Sequence, residues 1–350
     1  MRSLPKAIRR KISRFQAFRA WKQGLVTLPY PPFEIWVEPT NVCNLACVMC
    51  PNSIKEKEHG AYLEMDLFEK IVGECEPFSP MINLFLGGES TMHPKCMQMA
   101  AYAKKRGCSV SLATNATLLT EGASHELIRS GIDRLVFSFD GFDKGSYEAV
   151  RVGADFERTL ANIVQFLELK KKLGSRTPYV SFVSLLLRTN LTNDEETARY
   201  REFHKRLEGL PVEEVMVAEA GPWAGMFRET TKFKLRDGSG DFTPCPRIWR
   251  SMAIIADGRG VPCCADFYGE FPLGDSRART VMEMWNGPEM VELRRRMLAK
   301  DVADVALCGK GCDVLTPPPE TFHFGVPEEL IPESLMKVRK YLPMLDRGAA

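Results

Sequence analysis

Cys43, Cys47 and Cys50 stand within eight residues, in NVCNLACVMCPNS. Three thiolates so close are soft ligands, of the kind that select zinc or iron–sulfur clusters. Structural zinc sites come as two C-x2-C-like pairs, and C-x3-C-x2-C is not that pattern. A [4Fe–4S] cubane takes one ligand per iron, so three cysteines leave one iron for another donor. A second set follows far down the chain, with Cys245, Cys263, Cys264, Cys308 and Cys312.

The elements that must position these residues read as alternating strands and helices. FEIWVEPT, MINLFLGG, CSVSLATN, DRLVFSFD, YVSFVSLLL and VEEVMVA are apolar runs that close in polar or glycine residues, as buried strands do. Helical patterns lie between them at 63–75, 95–106, 119–130, 156–174 and 193–208. Thr120 and Glu121 mark one helix start and Gly131 its stop. Alternation of this kind implies a parallel α/β sheet with right-handed crossovers. A partial (β/α)6 barrel and a doubly wound sheet both fit, and either places its site at the C-terminal strand ends. The polar stretches fall there: Cys43–Cys50 after the first strand, GGES after the second, TNA after the third and SFDG closing the fourth.

The 350 residues are 45% hydrophobic and 26% charged, an ordinary globular balance. No run approaches the ~18 apolar residues of a membrane span. The start, MRSLPKAIRRKISRF, is basic but lacks the apolar core of a secretory signal. Eleven cysteines, an odd number unevenly spaced, argue against a disulfide framework and for reduced thiols in the cytoplasm. Residues 1–33 carry eight Lys or Arg and no acid, so the remainder nets −6 against a total of +2. Leu4, Ile8, Ile12, Phe15 and Phe18 fall at helical spacing. That basic amphipathic helix is expected to cover the edge of the main domain; peripheral membrane contact through 1–20, or an acidic partner, is the alternative. Net acidity elsewhere argues against nucleic acid.

C-x3-C-x2-C directly after the first strand of a six-fold β/α series resembles the signature of the radical S-adenosylmethionine (radical SAM) superfamily, over about residues 33–220. The resemblance implies a partial (β/α)6 barrel of parallel strands. It also implies a [4Fe–4S] cluster on Cys43, Cys47 and Cys50 whose open iron chelates the methionine part of S-adenosylmethionine (AdoMet), and reductive cleavage to a 5′-deoxyadenosyl radical that takes hydrogen from substrate. Gly87, Gly88 and Glu89 look like its GGE motif, with the carboxylate receiving the AdoMet ammonium. Ser138 and Asp140 resemble the strand-4 pair at the ribose, Asn115 the strand-3 asparagine near the same ligand, and Arg151 the arginine that pairs with the AdoMet carboxylate. Met49 departs from the pattern, which often has an aromatic residue before the third cysteine. An electron donor such as flavodoxin or ferredoxin is implied as a partner.

The segment CPRIWRSMAIIADGRGVPCC reads as a hairpin about the turn Asp257–Gly258. Its Gly258-x4-Cys263 spacing resembles the SPASM/twitch extensions of the superfamily, and TVMEMWNGPEMVELRRRM the helix that follows in them. The resemblance implies a shortened form with one auxiliary [4Fe–4S] cluster on Cys245, Cys263, Cys308 and Cys312. The closing C-x3-C departs from the more usual C-x2-C, and a structural zinc on the same thiolates is the rival. Cys264 is left over, as a buried neighbour, an alternative ligand or a hydrogen donor. The domains expected are a basic extension at 1–32, the core at 33–220, a linker at 221–242, a cysteine-rich auxiliary domain at 243–316 and a tail at 317–350.

Relatives with shortened extensions include carbohydrate and aminocyclitol oxidoreductases, and the 32 residues before the first strand are too few for a leader-binding domain. The expected substrate is therefore a small polar molecule, sugar- or cyclitol-like, dehydrogenated or epimerised; maturation of a peptide or protein is the alternative. A non-catalytic iron–sulfur electron carrier or zinc protein is the reading from another class. Candidate substrate residues are Cys264, Arg188, Glu219 and Trp223, the last three at or just past strands five and six.

Overall fold

Six strands pair in parallel and in chain order. They are β1 (Glu34–Val37), β2 (Met81–Asn83), β3 (Ser109–Thr114), β4 (Arg134–Ser138), β5 (Tyr179–Leu186) and β6 (Glu214–Glu219). This computed structural model describes residues 6–54, 60–78, 80–186, 193–219, 242–309, 312, 314 and 315. Arg188 and Trp223 lie outside the described residues, as do the expected linker and nearly all of the tail; of Glu219 only the backbone is described.

A doubly wound sheet reverses its strand order at a switch point. Here β1 to β6 run in order without reversal, as in a partial barrel, and right-handed crossovers then stack their helices on one side. The helices are α1 (Lys6–Lys22), α2 (Pro51–Ile54), α3 (Met65–Cys75), α4 (Cys96–Lys105), α5 (Glu121–Arg129), α6 (Lys144–Val150), α7 (Phe156–Lys172) and α8 (Asn193–Lys205). Thr120 caps α5 by accepting the Ala123 N–H at 3.3 Å, and Gly131 leaves that helix with φ +71°. Asp155 caps α7 in the same way, through Arg158 N–H at 2.8 Å. The short α6 has no counterpart among the expected helices; its seven residues are too few for a periodic signal, and the Asp143–Ser146 capping box starts it.

The C-terminal region extends the same sheet. β7 (Ser251–Ile254) pairs in parallel with β1 along its whole length. β8 (Arg259–Val261) returns antiparallel to β7, as the Asp257–Gly258 turn predicts, and β9 (Gly274–Asp275) closes the edge. One nine-stranded sheet therefore carries both cysteine groups. The helix expected over TVMEMWNGPEMVELRRRM is two, α9 (Val281–Trp285) and α10 (Pro288–Leu298). Gly287 caps the second and Pro288 occupies its first turn, where a missing N–H costs nothing.

Arg294 on α10 is fully buried and stacks over Trp285 at 4.3 Å. It donates to the carbonyls of Ile248 (2.8 Å), Val26 (2.9 Å) and Trp285 (2.9 Å), and burial lowers its pKa to about 9. This one side chain ties the segment after α1 to the region of the second cysteine group.

α1 covers the fold, but not by the apolar stripe expected of it. Ser13, Ala17 and Ala20 are the buried face, Ile12 is half-buried, and Phe15 and Phe18 point outward at 64% and 47% exposure. The small face brings the helix close enough for Arg9 to reach the Pro77 carbonyl and Trp21 the Pro244 carbonyl, each at 3.1 Å. Among the described residues no helix is long and apolar enough to cross a membrane.

Candidate active site

The loop from Thr40 to Cys50 leaves β1 and is held from four directions. Ala46 N–H donates to the Val152 carbonyl (2.9 Å) and Val48 N–H to Val150 (3.0 Å), both at the end of α6. Asn41 exchanges bonds with Ala61, and Glu89 N–H donates to the Val42 carbonyl at 2.9 Å. Asn44 donates to Thr117 Oγ1 (2.8 Å) and accepts from Asn115 Nδ2 (3.0 Å). Cys50 N–H closes a turn on the Cys47 carbonyl at 3.1 Å.

The loop crosses so closely over Gly88 that a Cβ there would lie 2.1 Å from the Thr40 carbonyl oxygen. Glycine at that position serves the approach of the cysteine loop. Gly87 is shielded instead by the Phe267 ring, 2.7 Å from where its Cβ would be. Cys43, Cys47 and Cys50 converge closely enough that each thiolate would raise the pKa of its neighbours. Burial is the larger cause, pushing Cys47 to about 11 against the opposing pull of Arg151. Thiols buried this way stay protonated unless a cation takes them.

Glu89 is 3% exposed. Its Oε1 accepts from Thr91 N–H (3.2 Å), Thr91 Oγ1 (2.7 Å) and Thr114 Oγ1 (2.8 Å), and its Oε2 from Asn115 N–H (2.7 Å). The carboxylate is thus a hub joining the ends of β2 and β3, with acceptor capacity left on Oε2. Asn115 turns its side chain to Asn44 and Thr117, and the next residue, Ala116, holds φ at +60°. A left-handed alanine persists only where its surroundings fix it; here Asn162 bonds the Ala116 and Thr117 carbonyls at 3.0 and 3.2 Å.

Ser138 ends β4, half-buried. Asp140 is 1% exposed and directs its carboxylate inward. Oδ1 accepts the Leu185 N–H at 2.6 Å and Oδ2 lies 2.5 Å from Arg151 Nη2. Asp140 and Arg151 thus neutralise each other in the interior, while Arg151 Nε is left without a hydrogen-bond partner among the described residues. Arg151 Nη1 reaches Cys47 Sγ at 3.8 Å. Glu89, Asn115 and Arg151 thus each bond to the cysteine loop, and Asp140 joins it through Arg151.

The second group assembles from separated stretches. Cys245 precedes a short helical turn, Cys263 follows β8, and Cys308 closes a turn on Val305 at 2.9 Å. Gly309 sits so near Ala303 that a Cβ would lie 1.8 Å from its carbonyl oxygen. Cys245, Cys263, Cys308 and Cys312 are mutual electrostatic neighbours, and burial pushes Cys245 to about 12. Cys264 lies beside that set: its Sγ accepts from Arg247 Nη1 at 3.1 Å, and its bond with Cys263 makes Cys263 the more acidic of the pair.

Three contributors escaped the reading of the sequence. Glu38, in WVEPT, is a carboxylate buried at the end of β1, and an acid closing a buried strand was the available signal. Tyr268 reaches the residue after Cys50 and Phe267 covers Gly87, both from the second region and with no spacing signal at all.

Comparison with known proteins agrees with this geometry. The family model of the radical SAM superfamily matches residues 37–200, and that of the SPASM iron–sulfur cluster-binding domain matches 245–313. The tungsten-containing aldehyde ferredoxin oxidoreductase cofactor-modifying protein of Pyrococcus furiosus is 31% identical over 213 residues. That alignment takes in 60% of this chain and just over half, 57%, of the relative. Among solved structures, SuiB of Streptococcus suis bound to its precursor peptide SuiA superposes with a TM-score of 0.61 at 16% identity, covering 87% of this chain and 76% of SuiB. BtrN in complex with AdoMet and 2-DOIA gives 0.53 at 14% identity, covering 80% and 92%. The chain thus carries a radical SAM domain, which implies a [4Fe–4S] cluster and AdoMet, and a SPASM domain, which implies an auxiliary iron–sulfur cluster.

Proposed function

We propose that Cys43, Cys47 and Cys50 hold the AdoMet-binding cluster of this radical SAM enzyme and that it oxidises a small polar, sugar- or cyclitol-like substrate. The observation that carries the site is the buried Asp140–Arg151 ion pair beside Cys47, in which Arg151 Nε has no hydrogen-bond partner among the described residues. Buried groups without partners cost roughly 1–3 kcal/mol each and fit a polar ligand. The donor set fits too: three thiols on one loop suit a cubane with one iron left open. Bound there, the cluster supplies the electron that cleaves the AdoMet sulfonium to a 5′-deoxyadenosyl radical.

The surrounding residues bind and orient. Glu89 Oε2 accepts the AdoMet ammonium while Oε1 keeps the ends of β2 and β3 in register. Arg151 presents positive charge to the AdoMet carboxylate, steadied by Asp140. Asn115 holds the Ala116 turn, and Ser138 supplies a hydroxyl at the neighbouring strand end. Gly88 lets the cysteine loop lie low over β2.

Cys245, Cys263, Cys308 and Cys312 would hold the auxiliary cluster, which supplies an acceptor for the electron a substrate radical loses on dehydrogenation. Epimerisation needs a hydrogen donor instead, and Cys264 is the thiol outside the set. The similarity to a cofactor-modifying protein favours a second reading, in which the substrate is a peptide, a protein or a larger cofactor precursor. A flavodoxin or ferredoxin is the proposed reductant. A reducing compartment such as the cytoplasm is the proposed location, since cluster-binding thiolates have to escape disulfide formation.

Anaerobic reduction of the reconstituted chain with AdoMet is the test. Formation of 5′-deoxyadenosine is expected, and transfer of deuterium from labelled cyclitols or peptides into it separates the two substrate readings. No 5′-deoxyadenosine from protein with a full complement of iron and sulfide would sink the assignment.

A further inference from the structure

The stretch that leaves the second cysteine group ends against the first. Cys263 and Cys264 run into Ala265–Asp266–Phe267–Tyr268–Gly269. Asp266 is fully buried and accepts the N–H groups of Glu270 (2.8 Å) and Phe271 (3.0 Å), which closes the turn. Arg259 on β8 straps it from outside, 3.3 Å from the carbonyls of Tyr268 and Gly269.

A turn fixed at its base presents two side chains to the N-terminal half. The Tyr268 hydroxyl donates to the carbonyl of Pro51, the residue after Cys50. The Phe267 ring covers Gly87, with its Cδ1 2.7 Å from the place of a Cβ. Beneath them Glu38 accepts the Gly87 N–H through Oε1 (2.8 Å) and the Ala256 N–H, beyond β7, through Oε2 (2.9 Å). A buried carboxylate accepting two backbone donors is a stiff link, because losing either leaves a buried group unpaired.

We infer that the turn Asp266–Tyr268 is a positioning element for AdoMet. Tyr268 sets the Cys50 end of the cysteine loop, and Phe267 with Glu38 sets Gly87–Gly88–Glu89. The order of the second cysteine site is thereby felt as AdoMet affinity at the first. The inference rests on the assignment of Cys43, Cys47 and Cys50 made above. It gives the auxiliary region a mechanical part in the reaction besides electron transfer, since a disordered second site loosens the grip on AdoMet before any substrate is oxidised.

Tyr268→Phe removes one hydroxyl and keeps the ring; Phe267→Leu keeps an apolar cover of different shape. Each is reconstituted anaerobically as the full chain. The measurements are iron content, AdoMet Kd, the AdoMet-induced change in the EPR spectrum of the reduced protein, and KM and kcat for 5′-deoxyadenosine. Amide exchange over 47–54 is followed in the chain without cofactors. Tyr268→Phe is expected to keep its iron, weaken AdoMet about tenfold, raise KM more than it lowers kcat, and speed exchange over 47–54. Unchanged Kd and exchange in Tyr268→Phe overturn the inference. If that variant loses iron, Phe267→Leu decides by the same two readings. An AdoMet-responsive spectrum that survives combined Cys43→Ala, Cys47→Ala and Cys50→Ala overturns the cluster assignment instead, which the exchange measurement does not depend on.

Discussion

The two cysteine groups sit on one sheet and are built in opposite ways. The first is local, three thiols on one loop whose backbone is bonded to the ends of β2, β3 and α6. The second draws Cys245, Cys263, Cys308 and Cys312 from stretches far apart in the chain, held by Arg294, the Gly309 contact and the β7–β8 hairpin. The first offers three thiols beside the buried Asp140–Arg151 pair; the second offers four that are mutual electrostatic neighbours. On the proposed assignment, the first leaves one position for a ligand from outside and the second leaves none. A local site can be pre-shaped by its loop, whereas a distributed one orders only with its surroundings.

The largest effects should come from emptying each site in turn. Replacing Cys43, Cys47 and Cys50 by alanine is expected to remove about half the iron and all AdoMet cleavage. Cys245→Ala should remove the other half, abolish substrate oxidation, and leave 5′-deoxyadenosine formation measurable. Iron analysis and product assays on the two variants read this directly. Loss of all iron from either would break the contrast, making the two groups one site. Cys264→Ser should keep the full iron content.

Asp140→Asn comes next, because it leaves Arg151 buried without a countercharge. A broken buried pair typically costs about 3–5 kcal/mol. Denaturant unfolding should show that loss, and AdoMet binding should weaken with it while the second group keeps its iron. Equal loss of iron from both groups would contradict the independence of the first site.

The contrast also explains what the residues alone revealed. Cys43, Cys47 and Cys50 were legible because a local site is written in spacing, and the six strands because buried parallel strands are apolar throughout. GGE and SFDG were legible as strand ends, but not the inward turn of Asp140 or the hub made by Glu89, since both depend on neighbours across the sheet. The pairing of β7 with β1 had no local signal either, and Tyr268, beyond the hairpin that β7 begins, reaches the residue after Cys50. The helix α1 and its covering role were legible, but its buried face was not, for a physical reason. Periodicity finds an apolar stripe, but the close approach of α1 is made by Ser13, Ala17 and Ala20, whose small size carries no hydropathy signal.

Glu89→Gln tests the hub with a smaller change. Its carboxylate takes four donors, three of them on Oε1, and an amide can accept at only one oxygen. One buried donor pair is then opposed, which should cost about 1–3 kcal/mol and weaken AdoMet by tenfold or more. Calorimetric AdoMet titration and a melting curve check both parts. A variant with normal affinity would show that Glu89 only supports the loop.

The smallest effect is one of pH, and it separates the regions without altering a thiol. His93, just beyond GGES, accepts the Lys95 N–H on Nδ1 (3.0 Å) and has Nε2 3.0 Å from the Leu63 carbonyl, which requires the neutral ring. Burial lowers its pKa from the ordinary 6.5, and Lys95 adds to that, against the pull of the Leu63 carbonyl. The unfolded chain takes up this proton first, so this contribution to stability should be fully present above 6.5 and fall as pH drops through 6.5 towards the lowered folded value. His93→Gln should flatten that slope. Amide exchange at pH 5.5 and 7.5 ought to show the change around Leu63 and α4 and leave α10 untouched; an equal response at α10 would mean that the two regions open together.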